Sequence, residues 1–342
     1  VSESFLSTLK NNLSAGGKTY RPVSLWINWP VTDNSKQHLI LGGGEKFLHP
    51  NVDPSLLSGI MLNPMQQSEP SKIALFAGAQ YTWKQWKSEE EAKKINDIAF
   101  NFVENGHFED SKVSAAFREL GKHMINQNMD NRVVKLEESV DLAPKLTDFM
   151  TKLKAGQDVT AERAALRAEF AKIKEAAELY KASGDKKMVA QIHYWLDNAI
   201  DQMNALDAFL TGTEAMATND AAKLWDSYYK GLKLYEQSQT HTFHYVDHME
   251  KAELGVQHIR PFILSLKEVL ASEVQKVLHP DQIISTFITN RTGVEGGLAE
   301  VTDGDLATHA IIKSPNSIKT GDYIGMKFNK PIAIQTLTFA MG

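Results

Sequence analysis

The densest run of polar and aromatic residues is Trp26-Ile27-Asn28-Trp29-Pro30-Val31-Thr32-Asp33, followed by Asn63-Pro64-Met65. Both follow short apolar runs that read as buried strands, Val23 to Trp29 ended by Pro30 and Ile60 to Leu62 ended by Asn63-Pro64. Carboxamides, a carboxylate and indoles just past strand ends are what a sugar pocket needs. Hydroxyl groups want bidentate polar partners, and the flat face of a pyranose wants an aromatic wall. The same residues also fit a plainer reading, with Asn28 and Asn63 as turn residues and Asp33 as a helix cap.

Other groups point to weaker chemistry. Leu41-Gly42-Gly43-Gly44 is like a phosphate loop in composition but lacks the following Lys-Ser/Thr, so it reads as a turn. His241, His244 and His248 recur at i, i+3 and i+7, one face of a helix. Such imidazoles can share zinc, yet no His-Glu-x-x-His motif accompanies them, and histidines at the rim of a helical core are common. No Asp-Asp pair occurs anywhere in the chain, and the runs Glu89-Glu90-Glu91 and Glu137-Glu138 sit in helical contexts. The methionines and the aromatics of the helical stretches read as core filler.

Composition narrows the partners. The 342 residues carry 37 Lys+Arg against 42 Asp+Glu, a net charge of −5, so there is no basic excess for nucleic acid or an anionic membrane. With Cys 0 there is no disulfide, no thiolate metal site and no cysteine nucleophile. That suits the cytoplasm and equally a secreted bacterial protein built without disulfides. No apolar run approaches the roughly 18 residues of a membrane span. The opening Val1-Ser2-Glu3-Ser4 has no initiator methionine and no signal-peptide pattern, and reads as a cut chain.

The elements that must position these residues fall into three regimes. Residues 1–88 alternate strand, loop and helix, with a helix expected over Ser71 to Gln80, an α/β unit too short for a closed barrel. Residues 89–280 have helical period. Leu166, Phe170, Ile173 and Tyr180 form one stripe after a cap at Thr160. A second runs from Val189 through Ile192, Leu196, Ile200, Met203 and Leu206 to Leu210, bracketed by Gly184 and Gly212. Leu224, Tyr228, Leu232 and Tyr235 begin a third. A long final pattern passes Leu254, Ile259 and Leu266 to Leu278, with Pro261 starting or kinking a helix. This predicts a bundle of about five or six helices. Residues 281–342 turn to short β-branched runs, Ile283 to Thr289, Ile311 to Lys313, Tyr323 to Phe328 and Ile332 to Phe339, the start of a β-sandwich. The fold class expected is multidomain and predominantly α.

The order WINWPVTD, then LNPMQQSEPSKIALFAGAQYTW (Leu62 to Trp83), resembles the late barrel segment of glycoside hydrolase family 84, the bacterial hyaluronidase-like and O-GlcNAcase-like β-N-acetylglucosaminidases. Ala252-Glu253-Leu254-Gly255 with Ile259-Arg260-Pro261-Phe262 resembles part of that family's post-catalytic bundle. The resemblance implies the C-terminal part of a (β/α)8 barrel over 1–88, a helical domain over 89–280, and a truncated jelly-roll module over 281–342. It implies removal of terminal β-linked N-acetylglucosamine by substrate-assisted retention, with two adjacent aspartates on an earlier strand that this chain lacks. No cofactor is implied for catalysis. Carried over by position, Asp33 accepts from the C4 and C6 hydroxyls, Asn63 binds a neighbouring hydroxyl, Asn28 shapes the acetamido side, and Trp26 is the wall. Gly42 to Gly44 stand where the family usually has a Gly-Pro turn, a departure that bears on the loop after Asp33. The C-terminal piece resembles the start of a discoidin-like, family 32 carbohydrate-binding module, in which Asp303, Asp305 and Thr308 fit the spacing of a structural calcium turn.

By the same resemblance the partners are β-GlcNAc glycans or glycoproteins, the setting is extracellular or cell-surface, and the helical domain is a platform for a homodimer or a substrate protein. The residues alone also fit a non-catalytic structural or partner-binding helical protein that retains a barrel remnant.

Overall fold

The computed structural model describes residues 1–33, 39–42, 52–84, 86–124, 137–281, 283, 285–290, 294–295, 311–312 and 320–336. The chain is predominantly helical with small sheets, and it divides into two compact units. The first comprises residues 1–138, 172–200 and 239–254, the second 139–171, 201–238 and 255–342.

In the first unit, helix α1 (Glu3–Leu13) starts at Ser2, whose side chain accepts from the Phe5 amide, with Glu3 in its first turn and Lys10 in its last, matching the helix dipole. It buries Leu6 with Val52 and Leu56 against Val23, Leu25 and Leu57. Those last three belong to strands β1 (Val23–Ile27) and β2 (Leu57–Leu62), which pair in parallel with Leu25 opposite Ile60, Trp26 opposite Met61 and Ile27 opposite Leu62. Side chains alternate across a strand, so Leu25 turns to the α1 side while Trp26 and Met61 stand on the other face, 66% and 50% exposed. The two runs expected to be strands are therefore neighbours, and both deliver their polar residues at the same C-terminal edge.

Helix α2 (Ser68–Trp83) contains the expected 71–80 segment and buries Ile73, Ala74, Ala77 and Tyr81. Its first turn is satisfied by Gln191, which accepts from the Glu69 amide at 2.9 Å and donates to the Ser68 hydroxyl at 3.1 Å. Helices α3 (Glu89–Asn105) and α4 (Lys112–Gly121) follow, capped by Ser88 and by a reciprocal Ser111/Ser114 box. Phe100 meets Phe117 edge-on at 5.3 Å, and Phe117 stacks on Tyr180 at 4.3 Å.

The stretch 239–258, expected to continue the helical period, instead forms a hairpin, β3 (Thr242–Tyr245) paired antiparallel with β4 (His248–Lys251). Phe243 and Tyr245 point inward while Thr242 and His244 do not, and Phe243 packs on Trp195 at 4.5 Å. The period of two over these four residues wins over the wider helical pattern. His241, His244 and His248 therefore do not share a helical face, and among the described residues no group of three His, Asp or Glu could hold a metal.

The second unit holds α5 (Ala143–Lys154), the first part of α6 (Thr160–Ser183), the last part of α7 (Lys186–Thr218), α8 (Ala221–Ser238) and α9 (Ile259–Leu278). Seven helices thus lie between residues 89 and 280 among the described residues, against the five or six expected. Gly212 does not end the second stripe. Helix α7 continues through it to Thr218, and the missing side chain lets Leu270 approach to 3.1 Å of where a Cβ would stand. Pro261 lies in the first turn of α9, where its missing N–H costs nothing. Gly255, at φ +70, turns the chain into α9 with its Cα open to the Ile259 side chain.

Past α9, β5 (Ser285–Thr289) pairs antiparallel with β8 (Ile324–Phe328), and β6 (Val294–Glu295) with β7 (Ile311–Ile312). Residues 331–336 carry no strand, so the run expected from Ile332 fails over its described part, and 337–342 lie outside the described residues. Asp303, Asp305 and Thr308 also lie outside them.

Candidate sugar-binding site

All four sequence-predicted residues lie at the C-terminal edge of the β1–β2 pair, within the first unit. Backbone pairing continues past the strand ends, with the Asn63 amide on the Ile27 carbonyl at 3.0 Å and the Val31 amide on the Asn63 carbonyl at 2.9 Å. Buried Trp29 and Thr32 pin the loop from inside, leaving Asn28 and Asp33 exposed. The result is a short polar rim on a rigid parallel edge, where open α/β sheets bind ligands.

Three of the four are joined directly. The Asn28 carboxamide oxygen accepts from the Trp26 indole N–H at 2.8 Å and from the Asn63 amide nitrogen at 3.3 Å. One oxygen thereby fixes the plane of an exposed indole and orients the second carboxamide. Asp33 is held by a residue that sequence reasoning missed: the Tyr245 hydroxyl donates to its Oδ1 at 3.0 Å. Burial, then the Asp33 hydrogen bond, then the charges of Asp33 and Glu250, push the Tyr245 phenol up to about 12. It is therefore a proton donor throughout the physiological range.

Gln66, three residues past Asn63, grips the hairpin that carries Tyr245. Its Nε2 donates to the His244 carbonyl at 2.7 Å, and its Oε1 accepts from the Val246 amide at 3.2 Å. The side-chain amide thus behaves like one more strand residue along the turn. His248 is bonded within the hairpin, Nδ1 to Asp247 at 2.8 Å and Nε2 to Glu250 at 2.9 Å, and its ring lies 5.9 Å from that of Tyr245. The available signal was the inward alternation of Phe243 and Tyr245, which marks a strand but names no partner.

Chemically the rim offers two carboxamides, a carboxylate and an aromatic wall, a set for holding hydroxyls. It contains no adjacent pair of carboxylates for acid–base work.

Comparison with known proteins gives two family models and several solved structures that the chain resembles. Residues 6–122 match the family model described as beta-N-acetylglucosaminidase, and residues 141–242 the one described as hyaluronidase post-catalytic domain-like. Both matches support a likeness to glycoside hydrolase family 84. Among solved structures it is similar to CpGH84D (25% identity, TM-score 0.68, covering 79% of this chain and 43% of that one). It also shares the fold of CpGH84B (21%, TM-score 0.62, covering 78% and 42%). A mutant of the O-GlcNAc hydrolase of Thermobaculum terrenum matches at 17% identity and TM-score 0.62, covering 82% and 54%. The chain therefore spans about half or less of the length of these structures. Among the described residues no helix is long and apolar enough to cross a membrane.

Proposed function

We propose that this chain supplies the hydroxyl-holding side of the pocket of a β-N-acetylglucosaminidase that removes terminal β-linked GlcNAc from extracellular or cell-surface glycans or glycoproteins. In this reading residues 1–88 are the end of a (β/α)8 barrel, residues 89–280 the helical domain that follows it, and residues 281–342 the start of a β-sandwich module. The observation that carries the reading is the convergence of Trp26 and Asn63 on Asn28 at the C-terminal edge of two parallel strands, beside Asp33.

The reaction is substrate-assisted. The 2-acetamido oxygen attacks the anomeric carbon as the bond to the leaving oxygen breaks and a general acid protonates that oxygen, and water then opens the cyclic intermediate with retention. Two aspartates outside this sequence orient the acetamido group and serve as the acid, so the 342-residue chain alone is inactive. Its own residues bind and orient: Asp33 accepts from the C4 and C6 hydroxyls, Asn63 reaches a neighbouring hydroxyl, Asn28 lies toward the acetamido group, and Trp26 covers one face of the ring. Fixing the sugar in this way makes the internal attack a near-attack arrangement.

The test is Asp33→Ala in the full-length enzyme carrying this chain, assayed on an aryl β-GlcNAc. A loss of about 100-fold in kcat/KM is expected, from two hydroxyls losing a charged acceptor. Undiminished hydrolysis would remove the pocket assignment.

A further inference from the structure

We infer that Tyr245 is a positioning residue of the sugar site: through its hydrogen bond to Asp33 it sets the carboxylate that reads the outer sugar hydroxyls, and the β3–β4 hairpin is the latch that presents it. This rests on the pocket reading above and adds a residue from a different part of the chain.

Four observations carry it. The Tyr245 hydroxyl reaches Asp33 Oδ1 at 3.0 Å although 212 residues separate them in sequence. The ring is itself immobilised, its centroid 6.3 Å from that of Phe243 and 5.9 Å from that of His248, with Phe243 packed on Trp195. The hairpin tip is gripped on both its donor and its acceptor by Gln66, which follows Asn63 in the same polar rim. Finally, Val246 at the tip has φ +52, a left-handed conformation that a β-branched residue adopts only under constraint. Backbone held in such a state next to a binding site is a mark of a geometry being imposed. Tyr245 also lies outside both stretches matched by family models, 6–122 and 141–242.

The physical consequence is specificity. A carboxylate on a loop, free to turn, accepts from axial and equatorial hydroxyls alike. Holding one oxygen by a buried phenol fixes the direction of the other lone pairs, so that the C4 hydroxyl is read by orientation.

The test is a cycle in the full-length enzyme of Tyr245→Phe, Asp33→Ala and the double variant, measured on aryl β-GlcNAc and its C4 epimer aryl β-GalNAc. Tyr245→Phe keeps the ring and removes the donor. It is expected to raise KM for the GlcNAc substrate about tenfold with little change in kcat, and to lower the GlcNAc-over-GalNAc preference by a similar factor. In the Asp33→Ala background the same change should have no further effect, because the positioned group is gone. Normal KM and preference in Tyr245→Phe, with Asp33→Ala impaired, overturns the latch and leaves the pocket standing; so does an effect of Tyr245→Phe that persists undiminished in the Asp33→Ala background. Unimpaired Asp33→Ala overturns the pocket and the latch together. Should Tyr245→Phe fail to fold, Gln66→Glu, which loses the donor to the His244 carbonyl, is expected to shift KM and preference in the same direction, and unchanged values there overturn the latch.

Discussion

The indole N–H of Trp26 is spent on the carboxamide oxygen of Asn28, two residues along the same chain and 2.8 Å away. Because the same oxygen receives Asn63, Asn28 organises both its neighbours rather than standing beside them. Asn28→Ala should therefore release the indole from its fixed plane. The bonds are solvent-exposed, so stability should change by less than about 0.5 kcal/mol. Activity of the full-length enzyme on aryl β-GlcNAc should fall about 10- to 100-fold. A thermal melt run beside the kinetics checks both halves.

Val246 offers a change in the opposite direction. Left-handed backbone costs a non-glycine residue roughly 1–2 kcal/mol, and at 73% exposure its side chain returns little packing. Part of the gain from glycine is lost to unfolded-chain entropy, about 0.5–1 kcal/mol. Val246→Gly is expected to raise stability by about 0.5–1 kcal/mol, seen as a higher urea midpoint at constant m-value.

Two buried phenols give the protein an alkaline weakness. Tyr180 is driven far above the ordinary tyrosine range by burial first, then by its bond to Glu104 and the charges of Glu104 and Asp185; Tyr245 stands at about 12. Each keeps its proton when folded at a pH where the unfolded chain gives it up. Their stabilising effect is complete below about pH 10, the ordinary tyrosine value, and is lost as pH rises above it. Between pH 10 and 12, Tyr180→Phe and Tyr245→Phe should each flatten the decline in denaturant midpoint. At neutral pH Tyr180→Phe also leaves the Glu104 carboxylate short of a 2.7 Å donor, a cost of about 1–3 kcal/mol.

Gly231 lies inside α8, where alanine has the higher helix propensity. Its Cβ would nonetheless fall 2.4 Å from the ring of Phe209, which is fully buried and has nowhere to go. Gly231→Ala should destabilise by about 1–3 kcal/mol, overpacking outweighing propensity. Chemical denaturation gives the sign directly.

How far the sequence could be read depends on the range of the interactions involved. Strand β1, helix α2 and the stripes of α6 and α8 are written in local periodicity, and the structure follows them. The hairpin was hidden for two reasons. Its turn is Val246-Asp247, without the Asn-Gly or Asp-Gly pair that announces a tight hairpin. Its histidines also mimic a helical face. Gly212 misled in the other direction, since a glycine that admits Leu270 and one that ends a helix look alike in one dimension.

The site divides the same way. Trp26, Asn28, Asp33 and Asn63 were legible because they share short segments at strand ends. Gln66 and Tyr245 were not, because a bond from Tyr245 to Asp33 leaves no trace in either segment's own pattern.

That bond has a consequence for biosynthesis. Tyr245 is made 212 residues after Asp33, and at about 5–20 residues per second the ribosome needs roughly 10–40 s to bridge the interval. Trp26 and Asn28 precede this interval and Asn63 is made early in it, so for most of it the Asp33 carboxylate has no phenol to hold it. If Tyr245 positions Asp33 as inferred above, that setting is completed only after the hairpin has been made and has closed on Gln66.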